Sequence, residues 1–219
     1  MNAIIFGGTG MVGQGVLREC LLDPDIERVL SIVRSPSGQR HAKLRELVNA
    51  NFVDFSPIER ELSGFDATFF CLGATSAGKT EEQYSRVTYD ITMAAAKPLA
   101  RLNPGMTFLF VSGSGTDSTE RGRVMWARVK GKTENALLRL PFKAAYMFRP
   151  GAIEPMHGVK SRTAIYRIAY VFMRPLMPWL RKRFPQYITT SEQLARAMVA
   201  VAKNGAPKLV LESEDINKL

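Results

Sequence analysis

The apolar run Ala3 to Phe6 ends in Gly7-Gly8-Thr9-Gly10-Met11-Val12-Gly13, with Gly15 close behind. Glycines at that spacing allow a tight turn, a close approach of backbone to a phosphate, and close packing of a following helix. Val12, Val16, Cys20 and Leu21 then recur at helical spacing until Asp23-Pro24, so the N-terminus of that helix faces the turn. A merely structural turn needs one or two glycines. The pattern reads instead as the pyrophosphate cradle of a dinucleotide. The end of the second apolar run, Ser31-Ile-Val-Arg34-Ser35, carries no carboxylate. An acidic residue there would hold a ribose 2′-hydroxyl and favour NAD, whereas a guanidinium pairs bidentately with a 2′-phosphate. Arg34 therefore favours NADP over NAD, its other reading being a solvated residue at a strand end.

The elements that must hold these residues alternate along the chain. Strands are expected at Ala3 to Phe6, Val29 to Val33, Asn51 to Phe55, Ala67 to Leu72, Thr107 to Val111, Ala144 to Phe148 and Lys208 to Leu211. Helices are expected after Gly10, over His41 to Val48, Glu81 to Leu102, Arg123 to Leu138 and Glu192 to Lys203. Several strands run into glycine-bearing loops, GATSAGKT and SGSGT among them. Strand-helix alternation predicts an α/β fold with a doubly wound parallel sheet in three layers. No internal repeat, low-complexity tract or domain boundary interrupts it, so residues 1–219 read as one domain.

These residues resemble the short-chain dehydrogenase/reductase superfamily, in its atypical branch near the Tat-interacting-protein-like and NmrA-like oxidoreductases. GGTGMVG, IVRS, VDF, CLGAT, VSGSG, a lysine in the next helix, FRPGAIEP and TSEQLARA occur in family order over nearly the whole chain. The resemblance implies a Rossmann fold. It also implies that Gly7, Thr9, Gly10, Met11, Val12 and Gly13 wrap the pyrophosphate, and that Arg34 and Ser35 meet the adenosine phosphate. Asp54 and Phe55 would meet the adenine, Leu72, Gly73 and Ala74 the adenine-ribose side, and Pro150 the cofactor. Family enzymes add a serine after strand five and Tyr-x-x-x-Lys on the next helix, with the tyrosine exchanging the proton that accompanies hydride transfer. Ser112 and Lys130 match, but Trp126 stands where the tyrosine would be, and no tyrosine in the chain has a lysine four residues later. An indole N–H donates a hydrogen bond and does not titrate, and losing general-acid help costs ~10²–10⁴-fold. Ser112, Lys130 and Trp126 are thus the candidate catalytic positions. His41 and His157 stand apart from the motifs and read as loop residues.

With 30 Lys and Arg against 20 Asp and Glu the chain carries +10, which admits phosphorylated cofactors, membranes and nucleic acid as partners. The 155–191 stretch accounts for +7 of this, with no acidic residue, and interleaves its cations with aromatic and aliphatic residues. It reads as a small C-terminal region capping a small-molecule substrate, or as an interfacial surface touching a membrane. Nucleic acid is disfavoured, because no binding motif accompanies the charge. No uncharged apolar run approaches the ~20 residues of a spanning helix. Two cysteines, Cys20 and Cys71, without Cys or His at ligand spacing, argue against a disulfide framework or metal site and for a reducing, cytoplasmic setting. The sequence thus supports an NADP(H)-dependent oxidoreductase acting on a carbonyl or alcohol. Its alternative is a catalytically silent NADP(H)-binding regulator or assembly factor, in a membrane-peripheral version one that receives a lipid-soluble ligand.

Overall fold

A computed structural model describes residues 1–156, 183–184 and 186–219. Seven parallel strands, β1 (Asn2–Phe6), β2 (Arg28–Val33), β3 (Leu44–Val48), β4 (Ala67–Phe70), β5 (Thr107–Val111), β6 (Ala144–Arg149) and β9 (Val210–Glu212), form one sheet in the order β3-β2-β1-β4-β5-β6-β9. The order reverses between β1 and β4, which opens a crevice at the carboxyl ends of those strands. This is a Rossmann-like α/β fold. A second, two-stranded parallel sheet pairs β7 (Ala152–Glu154) with β8 (Ile188–Thr190).

Period-2 alternation sorts the strand residues into two cores. Ala3 and Ile5, Phe69, Leu109 and Phe148 face helices α1 (Met11–Leu22) and α5 (Ser191–Asn204). Ile4 and Phe6, Phe70, Phe108, Phe110 and Met147 face a 3₁₀ helix (Ser56–Leu62), α3 (Ile91–Leu102) and α4 (Met125–Leu138). On that second face phenylalanines form a chain: Phe6 to Phe70 at 5.1 Å and Phe70 to Phe108 at 5.9 Å between ring centroids. On the first face α1 and α5 pack closely because Gly15 has no side chain; a Cβ there would lie 2.9 Å from the Ser191 carbonyl oxygen.

Three expectations are corrected. Residues 41–48 are not helical: Leu44–Val48 is the edge strand β3, in register with Val29–Val33. LRELV has helix-forming residues, but pairing with β2 decides its state, since strand preference follows context. Residues 51–55 form a turn rather than a strand. The Asn49 amide donates to the Asn51 and Asp54 carbonyls, and Phe52 and Phe55 both fold into the core against Phe6. The long helix after residue 80 is composite: α2 (Glu81–Ser85), capped by Thr80, passes through a π-helical turn at Arg86–Asp90 into α3. The short helix α6 (Ser213–Ile216) ends the chain's ordered elements. The expectation of a capping or membrane-binding region at 155–191 rests largely on residues outside the described set, as does His157. Among the described residues no helix is long and apolar enough to cross a membrane.

Candidate functional site

At the end of β1, Gly7 turns the chain with φ +82°, a conformation that L side chains rarely adopt, and a Cβ there would lie 2.9 Å from the Cys71 carbonyl group. Gly10 donates its N–H to the Gly7 oxygen at 2.8 Å. Gly13 is tighter still, since its Cβ would lie 2.0 Å from that same oxygen. Thr9 offers its carbonyl to the Gln14 amide at 3.0 Å. The turn delivers the chain into the twelve-residue helix α1 with Gly10 as N-cap, no side-chain capping bond and no acidic residue in the first turn. Uncapped backbone N–H groups at a helix N-terminus, reached over glycine, fit a pyrophosphate in both charge and shape. Met11 and Val12 form the first turn of that helix.

The neighbouring strand ends line the same crevice. Arg34 and Ser35 are exposed directly after β2, and Arg34 forms no ion pair with a described residue. The loop they begin is tied back by Ser37, whose backbone N–H donates to Glu46 at 3.0 Å and whose hydroxyl also meets that carboxylate. Glu46, a carboxylate on β3, is therefore committed to the loop. Asp54 is exposed; bonds from the Ser56 hydroxyl and N–H hold its carboxyl below the usual range. The Phe55 ring, expected at the adenine, is 3% exposed and packs at 5.6 Å on Phe6. Leu72 is half-buried after β4, while Gly73 and Ala74 are exposed, and a Cβ on Gly73 would meet nothing.

Across the crevice, loop 112–124 and α4 bring the three candidate catalytic residues together. Ser112 is buried, its N–H donating to the Phe148 carbonyl at 2.7 Å. Its hydroxyl lies 3.0 Å from the Thr116 hydroxyl, which itself donates to the Gly113 carbonyl at 2.7 Å. A hydroxyl has one proton, so Ser112 is the donor in that pair. Pro150 is buried, its carbonyl accepting from Ser114 N–H at 2.9 Å. Trp126 and Lys130, one helical turn apart, both reach this loop. The Trp126 ring lies 3.5 Å from where a Cβ on Gly115 would stand, and Lys130 Nζ 3.9 Å from the equivalent point on Gly113.

Lys130 Nζ stands 5.9 Å from the centre of the Phe110 ring and makes no hydrogen bond or ion pair with any described residue. Burial pushes its pKa down to about 8, opposed only by the charge of Glu134 one turn on. Glu134 cannot approach it, because Arg149 holds that carboxylate with Nε at 3.0 Å and with Nη2. Glu134 is 1% exposed and Arg149 11%, and Arg149 also meets Glu212 and the Ser118 hydroxyl. This cross-link between α4, β6, β9 and the loop was not among the sequence candidates. The one signal for it was a glutamate four residues after Lys130. Thr116 was missed too, having no motif of its own. Among the described residues no group of side chains is arranged to hold a metal.

Comparison with known proteins agrees with this architecture. The model of the family described as NAD dependent epimerase/dehydratase matches residues 3–119. The chain is 28% identical to the mitochondrial protein FMP52 of Eremothecium gossypii, over all of this chain and 97% of that protein. It is 31% identical to the FMP52 protein of Debaryomyces hansenii, over 92% of this chain and 88% of that protein. Among solved structures, the Bordetella bronchiseptica enzyme WbmF in complex with NAD+ superposes with a TM-score of 0.69 at 14% identity, covering 99% of this chain and 76% of WbmF. DesIV, a dTDP-glucose 4,6-dehydratase from Streptomyces venezuelae with NAD bound, gives 0.70 at 16% identity over 96% of this chain and 74% of its own. These two likenesses concern the fold. The cytoplasmic expectation is overturned: the relatives are named as mitochondrial proteins. That expectation rested on two cysteines without ligand-spaced neighbours, a feature that does not single out one compartment.

Proposed function

Because the chain belongs to the NAD dependent epimerase/dehydratase family, we propose that it binds NADP(H) across the β1–β4 crevice and acts as an oxidoreductase on the carbonyl or alcohol of a small molecule. The observation that carries this reading is the pairing of a helix N-terminus without a side-chain cap, in a glycine cradle, with an exposed Arg34 that makes no ion pair and has no free carboxylate beside it among the described residues. The Gly7–Gly13 turn and the first turn of α1 would hold the pyrophosphate, Arg34 and Ser35 the 2′-phosphate, and Lys130 the nicotinamide ribose. A bound nicotinamide supplies or accepts hydride, while Ser112, Lys130 and Trp126 surround the place where a carbonyl oxygen would sit. The stretch 155–191 is the proposed substrate cap, and the relatives' names support a mitochondrial setting.

The second reading, a silent NADP(H)-binding regulator, is favoured by one observation: Trp126 cannot titrate where the family has a tyrosine. The cofactor reading is tested by calorimetric titration. NADPH should bind more tightly than NADH, because each charge-assisted bond from Arg34 contributes ~1.5–3 kcal/mol. Arg34→Ala should bring the two affinities together. Equal binding of both by the unaltered protein would remove the NADP preference.

A further inference from the structure

We propose that Lys130 is itself the proton donor of the reduction, performing directly the step for which related enzymes use a tyrosine on the same helix. The proposal rests on the NADP(H) reading above and assigns the acid of that same site. The neighbouring groups are each unsuited. The Trp126 indole does not titrate, and the Ser112 proton is committed to Thr116. Cys71, beneath Gly7, is a thiol that burial pushes up to about 12. Tyr84 is buried with its hydroxyl bonded to Thr88, and its own pKa is raised by burial. The Tyr89 ring lies under Lys132 at 4.5 Å, the Tyr146 hydroxyl accepts from Ala206 N–H, and His41 accepts from Lys43 N–H in an exposed loop.

Lys130 alone of these is an acid without a partner among the described residues, its ammonium group 5.9 Å from the centre of the Phe110 ring and 3.9 Å from where a Cβ on Gly113, the residue after Ser112, would stand. The charges around it leave it so. Glu134 is held by Arg149, which also bonds Glu212; Arg128 pairs with Glu81. Asp117 spends its carboxylate on Thr119 and Gly122 N–H. An unpaired ammonium in a half-buried site loses its proton more readily, and its value near 8 suits proton exchange close to neutral pH. As hydride adds to the carbonyl carbon, the C=O π pair moves onto oxygen and that oxygen takes one Nζ proton. The products are the alcohol, the oxidised cofactor and a neutral amine, which regains its proton from water. The oxidation direction runs the same steps backwards and requires the neutral amine.

The test combines an activity with a readout independent of it. In carbon-13 lysine-labelled protein without cofactor, the Lys130 Cε resonance, assigned by its disappearance in Lys130→Arg, should titrate with a midpoint near 8. A midpoint at the ordinary lysine value of ~10.4 overturns the proposal. With phenanthrenequinone or a nitrobenzaldehyde and NADPH, reduction should be level at lower pH and fall about tenfold per pH unit above the midpoint, as the ammonium is depleted. Lys130→Arg, which keeps the charge and cannot release a proton, should bind NADPH less tightly through its altered ribose contact, and with NADPH saturating its hydride transfer should drop ~10²–10⁴-fold. Lys130→Met serves as a second variant, with its thermal unfolding checked, and should lose transfer likewise. Transfer by Lys130→Arg at the wild-type rate, or no oxidation of bound NADPH with either probe, overturns the assignment of Lys130. Failure of the unaltered protein to bind NADPH overturns the cofactor reading instead, so the two failures are distinguishable.

Discussion

The two halves of the crevice are made by different means. The β1–α1 half is built from backbone: glycines without side chains, an uncapped helix end, and one exposed arginine. The β5–α4 half is built from side chains, with Ser112, Thr116, Trp126 and Lys130 around one loop and the Arg149–Glu134 pair behind them. A cradle made of main chain has few substitutions open to it. A site made of side chains can change its chemistry one residue at a time while the scaffold stands. Trp126 in place of a tyrosine is such a change, and it leaves the β1–α1 half untouched.

Variants that strike one half and spare the other sharpen this contrast. The largest effect is expected from Arg149→Met, which strands the 1% exposed Glu134 carboxylate without its partner; breaking a buried ion pair costs about 3–5 kcal/mol. Chemical denaturation would show this as a lower midpoint, and the double variant Arg149→Met/Glu134→Leu should recover much of the loss. Gly13→Ala comes next. Its Cβ would overlap the Gly7 oxygen at 2.0 Å, so the turn must shift; overpacking of this kind costs ~1–3 kcal/mol or more. Thermal unfolding should show the lower stability, and NADPH titration a lost site.

Smaller effects divide the halves further. Trp126→Tyr should leave NADPH affinity intact and raise quinone reduction by restoring a hydroxyl near the Lys130 ammonium, read as initial rates at equal cofactor saturation. No measurable reduction by either protein, with NADPH binding intact, would favour the silent regulator. The smallest effect belongs to the basic stretch 155–191. If it touches membranes, sedimentation with anionic vesicles should detect binding that weakens with salt, because exposed charges are screened beyond ~8 Å at physiological ionic strength. No binding at low salt would leave substrate capping as its role.

The glycine turn was legible in the sequence because what it requires is steric. Glycine spacing between an apolar run and a helical pattern states the turn directly, and Gly7, Gly10 and Gly13 take up the close approaches that spacing implies. Most strands were legible for a related reason, as buried parallel strands are continuous apolar runs. Leu44–Val48 was misread because an edge strand is only half-buried and LRELV suits a helix equally well. Phe52 and Phe55 are apolar by type, yet their spacing reflects a turn that drops both rings beside Phe6. The Arg149 network was not legible beyond the lone glutamate at 134. Its partners lie 15, 31 and 63 residues away in sequence, and only the fold brings them to one guanidinium.

A crystal structure with NADPH bound tests the central claim most directly. The account predicts pyrophosphate oxygens on the N–H groups at the start of α1, the 2′-phosphate against Arg34, and Lys130 Nζ within hydrogen-bond reach of the nicotinamide side. Cofactor density lying away from the Gly7–Gly13 turn, or an Arg34 turned to solvent with the 2′-phosphate bound elsewhere, would contradict it.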